Sequence, residues 1–215
     1  MAISTETIFD SVSTTLLDVT RQTWPRSDLV GYLNEALRAT AFLKPDMYSV
    51  QDFLPLAAGI AQALPDDGIA LIDITDNEVS GRAITQTDLV LLQEENRFWP
   101  AATQEVDVEN YAADPRTPRR YYVFPPSDGT SSVRVTYGAV PPELSGSSGE
   151  TLPVPDSYQN ALTNFVLAKC YGKNSKKQDL TKYAGYMNDW RMSLGLKSQA
   201  QVAVAPKLTQ TPGVT

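Results

Sequence analysis

The stretch SDLVGYLNEALRATAFLKPD, Ser27–Asp46, constrains this chain more than any other. Leu29, Val30, Leu33, Ala36, Leu37, Thr40 and Ala41 recur at helical spacing, whereas Asn34, Glu35 and Arg38 fall on the opposite face. Ser27 is placed to act as the N-cap, and Asp28 suits the positive end of the helix. Trp24-Pro25 precedes the helix and Lys44-Pro45 stops it. An amphipathic helix of this length has to bury its stripe against other elements. Its partners are expected at the far end of the chain, in Tyr158–Leu194. The expected fold is therefore α+β: a helical bundle formed by the N- and C-terminal helices, with an inserted antiparallel β-rich domain and an extended C-terminal arm.

The rest of the chain fills in that plan. Thr5–Thr20 reads as a first helix, capped by Thr5, with Ile8, Val12, Leu16 and Leu17 as its stripe. After Met47 the period changes. Tyr48–Leu56 and Ile60–Leu64 flank Ala57-Ala58-Gly59 and read as a hairpin. Ile69–Thr75 is apolar on both faces, so a central strand is expected. Arg82–Ile84 and Val106–Tyr111 read as short strands, and Leu89–Asn96 as a short helix capped by Thr87 or Asp88. Arg119–Phe124 is a strand stopped by two prolines, and Ser132–Ala139 is expected to pair with it. Val140–Leu152 is a Pro/Gly/Ser-rich exit from the β region. Val154-Pro155-Asp156 opens a helix striped by Tyr158, Ala161, Leu162, Phe165, Val166, Ala168 and Tyr171. Asp179–Leu194 is the last helix, and Gly195 its stop. These readings give segments 1–47 (N-terminal helices), 48–152 (β-rich insert), 153–196 (C-terminal helices) and 197–215 (an arm that orders on binding).

Composition narrows the chemistry. The 215 residues contain no histidine and one cysteine. Ser-His-Asp and Cys-His catalysis, histidine metal sites, internal disulfides and Cys clusters are thereby excluded. No apolar run approaches the roughly 20 residues of a membrane span, and MAISTETIFD lacks the features of a signal peptide. Net charge is −7, which argues against a general nucleic-acid binder. That charge is uneven. From Lys173 to Thr215 seven Lys/Arg face two Asp, a net +5, so Met1–Gly172 carries −12. An acidic body with a basic end suits docking of that end on an acidic surface.

No motif supports catalysis. Asp66-Asp67-Gly68 is a turn signature, and for Asp73/Asp76 and Glu94-Glu95 adjacency in sequence does not supply two carboxyls converging on a pocket. There is no P-loop, dinucleotide fingerprint, nucleophile elbow or calcium loop. Cys170 lies beside an apolar helical stripe and reads as a structural thiol. Ser145-Gly146-Ser147-Ser148-Gly149 has no lysine and reads as a linker. Arg116, Arg119 and Arg120 beside Tyr121 and Tyr122 are read as partner contacts, or as protection of an edge strand, in preference to a nucleic-acid platform. No catalytic residue, cofactor or metal is expected.

The succession of features is more telling than any one of them. LVGYLNEALRATAFLKPD is followed by LAAGIAQALPDDGIALIDI, GRAI, RRYYVFPP, LPVPDSYQNALTNFVLAKCYGK and SLGLKS. This order resembles the head-to-tail adaptor (connector) proteins of short-tailed bacteriophages, over roughly Trp24 to Lys197.

The resemblance implies a structural virion protein, made in the host cytoplasm and located at the phage neck. It implies a dodecameric ring beneath the portal that extends the DNA channel, through which genomic DNA passes without sequence-specific binding. Implied partners are the portal, neighbouring copies in the ring, the tail nozzle and tail fibres. It places the C-terminal segment on the portal, with Lys197, Gln199, Val202, Val204, Lys207 and Leu208 as contact candidates. A head-completion or tail-terminator protein that binds the tail side only is the structural alternative. A carboxylate-based cell-wall hydrolase is the enzymatic one, and it requires two buried carboxyls across a sugar-sized cleft.

Overall fold

The computed structural model describes residues 2–195 except Asn96. The fold is mixed α+β, with sheets that are antiparallel except for one short parallel pair, Thr85 and Gln86 beside Asn110 and Tyr111. Contacts divide the chain into two compact units. One is Met1–Ala36 with the chain from Leu144 on, and the other is Leu37–Glu143. The division falls inside a single helix, α2, which spans Arg26–Leu43.

The first unit opens with strand β1 (Ala2–Ser4) and helix α1 (Thr5–Thr15). Ser4, not Thr5, is the N-cap, its hydroxyl accepting from Glu6 N at 3.1 Å. The helix ends five residues before its expected limit. Leu17 takes a positive φ of 53° and is fully out in solvent, so the apolar stripe stops at Leu16. The loop that follows is built on Asp18, whose carboxylate accepts from the backbone N–H groups of Gln22, Thr23 and Trp24 at 2.9–3.1 Å. That loop delivers Trp24 into the core and starts helix α2 (Arg26–Leu43) at Arg26, one residue before the expected Ser27 cap. Within this unit Leu29, Leu33 and Ala36 of α2 are buried, as their spacing predicts.

The chain re-enters this unit at Leu144. Thr151–Pro155 is strand β9, antiparallel to β1, where the sequence suggested the approach to a helix. A short 3₁₀ turn then leads into α4 (Gln159–Gly172), which packs against α1 and against α5 (Leu180–Ser193). Phe165 and Trp190 meet edge to face at 5.0 Å, and Tyr171 and Tyr186 stack at 5.8 Å. Asp179 caps α5, and Gly195 with a φ of 73° ends it. The expected stripe of α5 is only partly covered: Trp190 and Leu194 are buried, while Leu180 is exposed.

The second unit holds two sheets. One has the order β2 (Ser49–Pro55), β8 (Ser132–Ala139), β4 (Gly68–Asn77). The other runs β3 (Gly59–Ala63), β7 (Arg120–Ser127), β6 (Asn110–Ala113), β5 (Thr85–Gln86), with the short helix α3 (Leu89–Glu95) after β5. Three expectations are corrected here. β2 and β3 do not form a hairpin, because they belong to different sheets. β8 pairs with β2 and β4, not with the preceding β7. β4 is an edge strand, and its register slips three times, which explains its mixed face pattern.

Both sheets contribute to one apolar core that includes Ile74, Tyr111, Tyr121, Val123, Val133, Val135 and Tyr137. The alternation of β8 puts Val133, Val135, Tyr137 and Ala139 inside and leaves Arg134 and Thr136 part-exposed. Gly138 sits where the sheet meets the Pro45–Met47 turn, and an added Cβ would lie 2.5 Å from the Pro45 carbonyl oxygen. Asn77 is a polar key within the buried layer: its amide donates to Val108 O and Arg82 O, and its carbonyl accepts from Val108 N. No described helix is long and apolar enough to cross a membrane.

Candidate functional site

The polar groups that sequence singles out are used within the fold. Asp66 stands in solvent at the turn before β4. Asp73 accepts the Tyr111 hydroxyl at 2.8 Å, and burial together with that carboxylate pushes the phenol up to about 12. Asp76 pairs with Arg134 at 3.0 Å and accepts the Thr75 hydroxyl. Asp73 and Asp76 therefore serve as partners of neighbouring side chains in the β unit. Cys170 is buried and free, and burial pushes its thiol up to about 12, the opposite of an activated nucleophile.

The Ser/Gly loop is filled from within. Glu150 accepts from the N–H groups of Ser145 and Gly146 at 3.0 Å, and these bonds hold its carboxyl below the usual range. Arg26 donates to the carbonyls of Gly146 and Ser147. Arg26 and Arg21 also clasp Glu6. Burial alone would raise that carboxyl, but the two guanidinium groups outweigh it and lower it. Among the described residues no group of three or more Cys, Asp or Glu is placed to hold a metal ion.

What remains is surface. Arg116, Arg119 and Arg120 lie on and beside the turn between β6 and β7. Arg116 is bound bidentately by Asp114 at 3.0–3.1 Å. Arg119 is held by the carbonyls of Pro65 and Asp66 at 3.0 and 3.3 Å, while Arg120 makes no ion pair among the described residues. Arg119 and Arg120 edge a groove of about 480 Å³ whose floor and wall are Phe42, Pro45, Ile69, Ala70 and Pro118. The sequence singled out the three arginines but not the groove. A signal for it existed: Phe42 is an aromatic one step beyond the buried stripe of α2, and it is 66% exposed. Lys197, Gln199, Val202, Val204, Lys207 and Leu208 lie outside the described residues.

Among the described residues the arrangement offers an apolar groove with arginines at its edge. Comparison with curated proteins gives no match. The family model of the SU10 adaptor protein matches residues 5–210, nearly the whole chain and both units of the fold. The chain therefore belongs to the SU10 adaptor protein family, phage head–tail adaptors that are structural parts of the virion.

Proposed function

We propose that this adaptor forms a dodecameric ring beneath the portal, extends the DNA channel, and offers a platform for the tail nozzle and fibres. The observation that carries this reading is the family match across residues 5–210. The helical segments 1–47 and 153–196 form the bundle of each subunit, with 48–152 as the insert. Segment 197–215 is the arm that reaches the portal, through Lys197, Gln199, Val202, Val204, Lys207 and Leu208. Arg116, Arg119 and Arg120 make subunit or tail contacts.

Charge supports both halves of the proposal. A net −12 over Met1–Gly172 suits a conduit, since a negative wall repels phosphate and lets DNA slide. The basic C-terminal end suits an acidic docking groove. A chain of this kind acts by assembly and turns over no substrate.

The test is the mass of the full-length protein by light scattering, alone and with purified portal rings of the same phage. The expected result is a complex carrying about one adaptor per portal subunit. Removal of residues 197–215 is expected to abolish that complex and to leave the circular dichroism spectrum of the folded part unchanged. Absence of any portal complex with the full chain overturns the proposal and favours a protein that binds the tail side only.

A further inference from the structure

The groove beside β7 is apolar inside and cationic at its rim. Phe42, Pro45, Ile69 and Pro118 give it an oily floor and wall, and Arg119 and Arg120 stand at its edge. Phe42 is 66% exposed and shares this groove with Pro45, Ile69 and Pro118, an apolar patch of the kind that marks an interaction site. Arg119 is pre-positioned by two backbone carbonyls and keeps only a long contact, 3.9 Å, to the exposed Asp66. The occupant this site fits is therefore an apolar segment with carboxylates beside it.

The same chain displays such a segment. Helix α3 is LVLLQEE, with two glutamates and no cation. Leu92 is buried and roots the helix in its own subunit, and the Asp88 carboxylate accepts from Val90 N at 2.7 Å. Val90 and Leu91 point away from that anchor and are 60% and 48% exposed. Val90 and Glu94 are four residues apart and share a helix face. An exposed apolar ridge carrying acid and an exposed apolar groove carrying base are thus present once in every copy.

We infer that α3 of one copy seats in the Phe42–Ile69–Pro118 groove of a second copy, Val90 and Leu91 against its apolar floor and Glu94 against Arg119 or Arg120. The contact is heterologous: each subunit brings one groove and one ridge, the arrangement from which closed rings are built. The inference rests on the ring reading above and supplies the surface by which neighbours meet. It also gives Arg119 and Arg120 a role distinct from that of Arg116, which is already neutralised by Asp114.

Site-directed cross-linking tests it on the full-length protein. Copies carrying Thr117→Cys at the groove are mixed with copies carrying Gln93→Cys on α3, and treated with a short bismaleimide. The buried Cys170 does not compete. The expected outcome is a hetero-cross-linked pair formed at least about tenfold faster than with a Ser148→Cys control, taking one decade as the smallest clear difference. Arg120→Glu in the groove copy is expected to bring the rate down to the control, and Glu94→Arg in the α3 copy to restore it. Rates equal to the control, both in free protein and in protein assembled on portal rings, overturn the inference. Portal binding of the same cysteine variants is read separately by light scattering. Binding without cross-linking removes the groove contact and leaves the proposed function standing, whereas cross-linking without binding does the reverse.

Discussion

Apart from the short ladder of β1 on β9, the helical unit joins segments far apart in sequence through single side chains, and the β unit joins its strands through backbone ladders. In the helical unit the Trp24 indole N–H donates to Cys170 O, 146 residues away, and Lys173 reaches Asp28 at 2.6 Å. Asn34 closes a two-way bond with the backbone of Leu144. In the β unit the seven cross-strand pairs of β2 with β8 use main-chain groups, which every residue but proline carries in full. Substitutions should therefore act differently in the two. In the helical unit individual side chains determine whether distant segments close. In the β unit most surface positions are tolerant, and the losses concentrate in the core and at the few side chains that replace a ladder bond.

The largest expected effect is Trp24→Ala. The ring is 2% exposed, carries the bond to Cys170 and lies under the Lys177 ammonium at 4.9 Å. Truncation of a buried tryptophan costs about 3–5 kcal/mol. Trp24→Phe retains much of the volume and loses the donor, so a smaller loss of about 1–2 kcal/mol is expected. Urea unfolding of the two variants separates packing from the directed bond. Equal losses would mean that the hydrogen bond, and not the ring volume, holds this closure.

Asn77→Ala probes the β unit at its least ladder-like point. Its side chain satisfies Val108 N–H, Val108 C=O and Arg82 C=O inside a buried layer. Leaving both Val108 groups without partners, while Arg82 C=O keeps the backbone N–H of residue 77, is expected to cost about 2 kcal/mol. Substitutions at the exposed Gln51 of β2, whose neighbours are held by the ladder, are expected to change urea stability by less than about 0.5 kcal/mol. A large effect at Gln51 would break the contrast between the units.

The contrast also explains what could be read in advance. Helical stripes named the buried positions of α2 and most of α4, because a 3.6-residue period marks one face whatever lies against it. The alternation of β8 likewise named its inner face. Pairing was a different matter. A two-residue period says which side of a sheet a residue takes and nothing of which strand lies beside it. Hence the false hairpin of β2 with β3, whose connection is closed locally by Gln62 bonding Ala57 at both backbone groups. Strand β9 was missed because its two prolines argue against a ladder, yet it pairs only with the short β1. At the surface the arginines stood out by charge, but the groove did not, since Phe42 and Ile69 meet only when helix end and strand start are folded together.

Asp18 gives the helical unit a dependence on pH. Burial would raise its carboxyl, but the N–H groups of Trp24, Thr23 and Gln22 outweigh that and hold it below 3.8. The unfolded chain therefore binds a proton more readily than the folded one. The stabilisation is complete well above 3.8, and it is lost as pH falls through 3.8 and then through the lower folded value. Asp18→Asn is expected to cost about 1.5 kcal/mol at neutral pH, because the amide offers one acceptor oxygen and no charge. Its urea midpoint should then fall less steeply than wild type between pH 5 and pH 3. Parallel curves for the two proteins would mean that this loop contributes nothing to acid unfolding.

A smaller loss than that of Asp18→Asn tests whether side chains matter at all on the outer face of the β unit. Arg134 of β8 lies over the Phe53 ring of β2 at 4.6 Å and pairs with Asp76 of β4 at 3.0 Å, so one guanidinium links all three strands of the sheet. Arg134 is 41% exposed at its side chain, which limits the ion pair to a few tenths of a kcal/mol. Stacking on Phe53 adds about 0.5 kcal/mol at such a site. Arg134→Ala is thus expected to cost about 1 kcal/mol in urea unfolding. Arg134→Lys keeps the charge but loses the planar group that lies flat on the ring, so it should recover less than half of that loss. Full recovery by lysine would assign the contact to charge alone. A loss well above 1 kcal/mol in either variant would show that this face, like the helical unit, depends on single directed side chains, and the distinction between the two units would narrow to their cores.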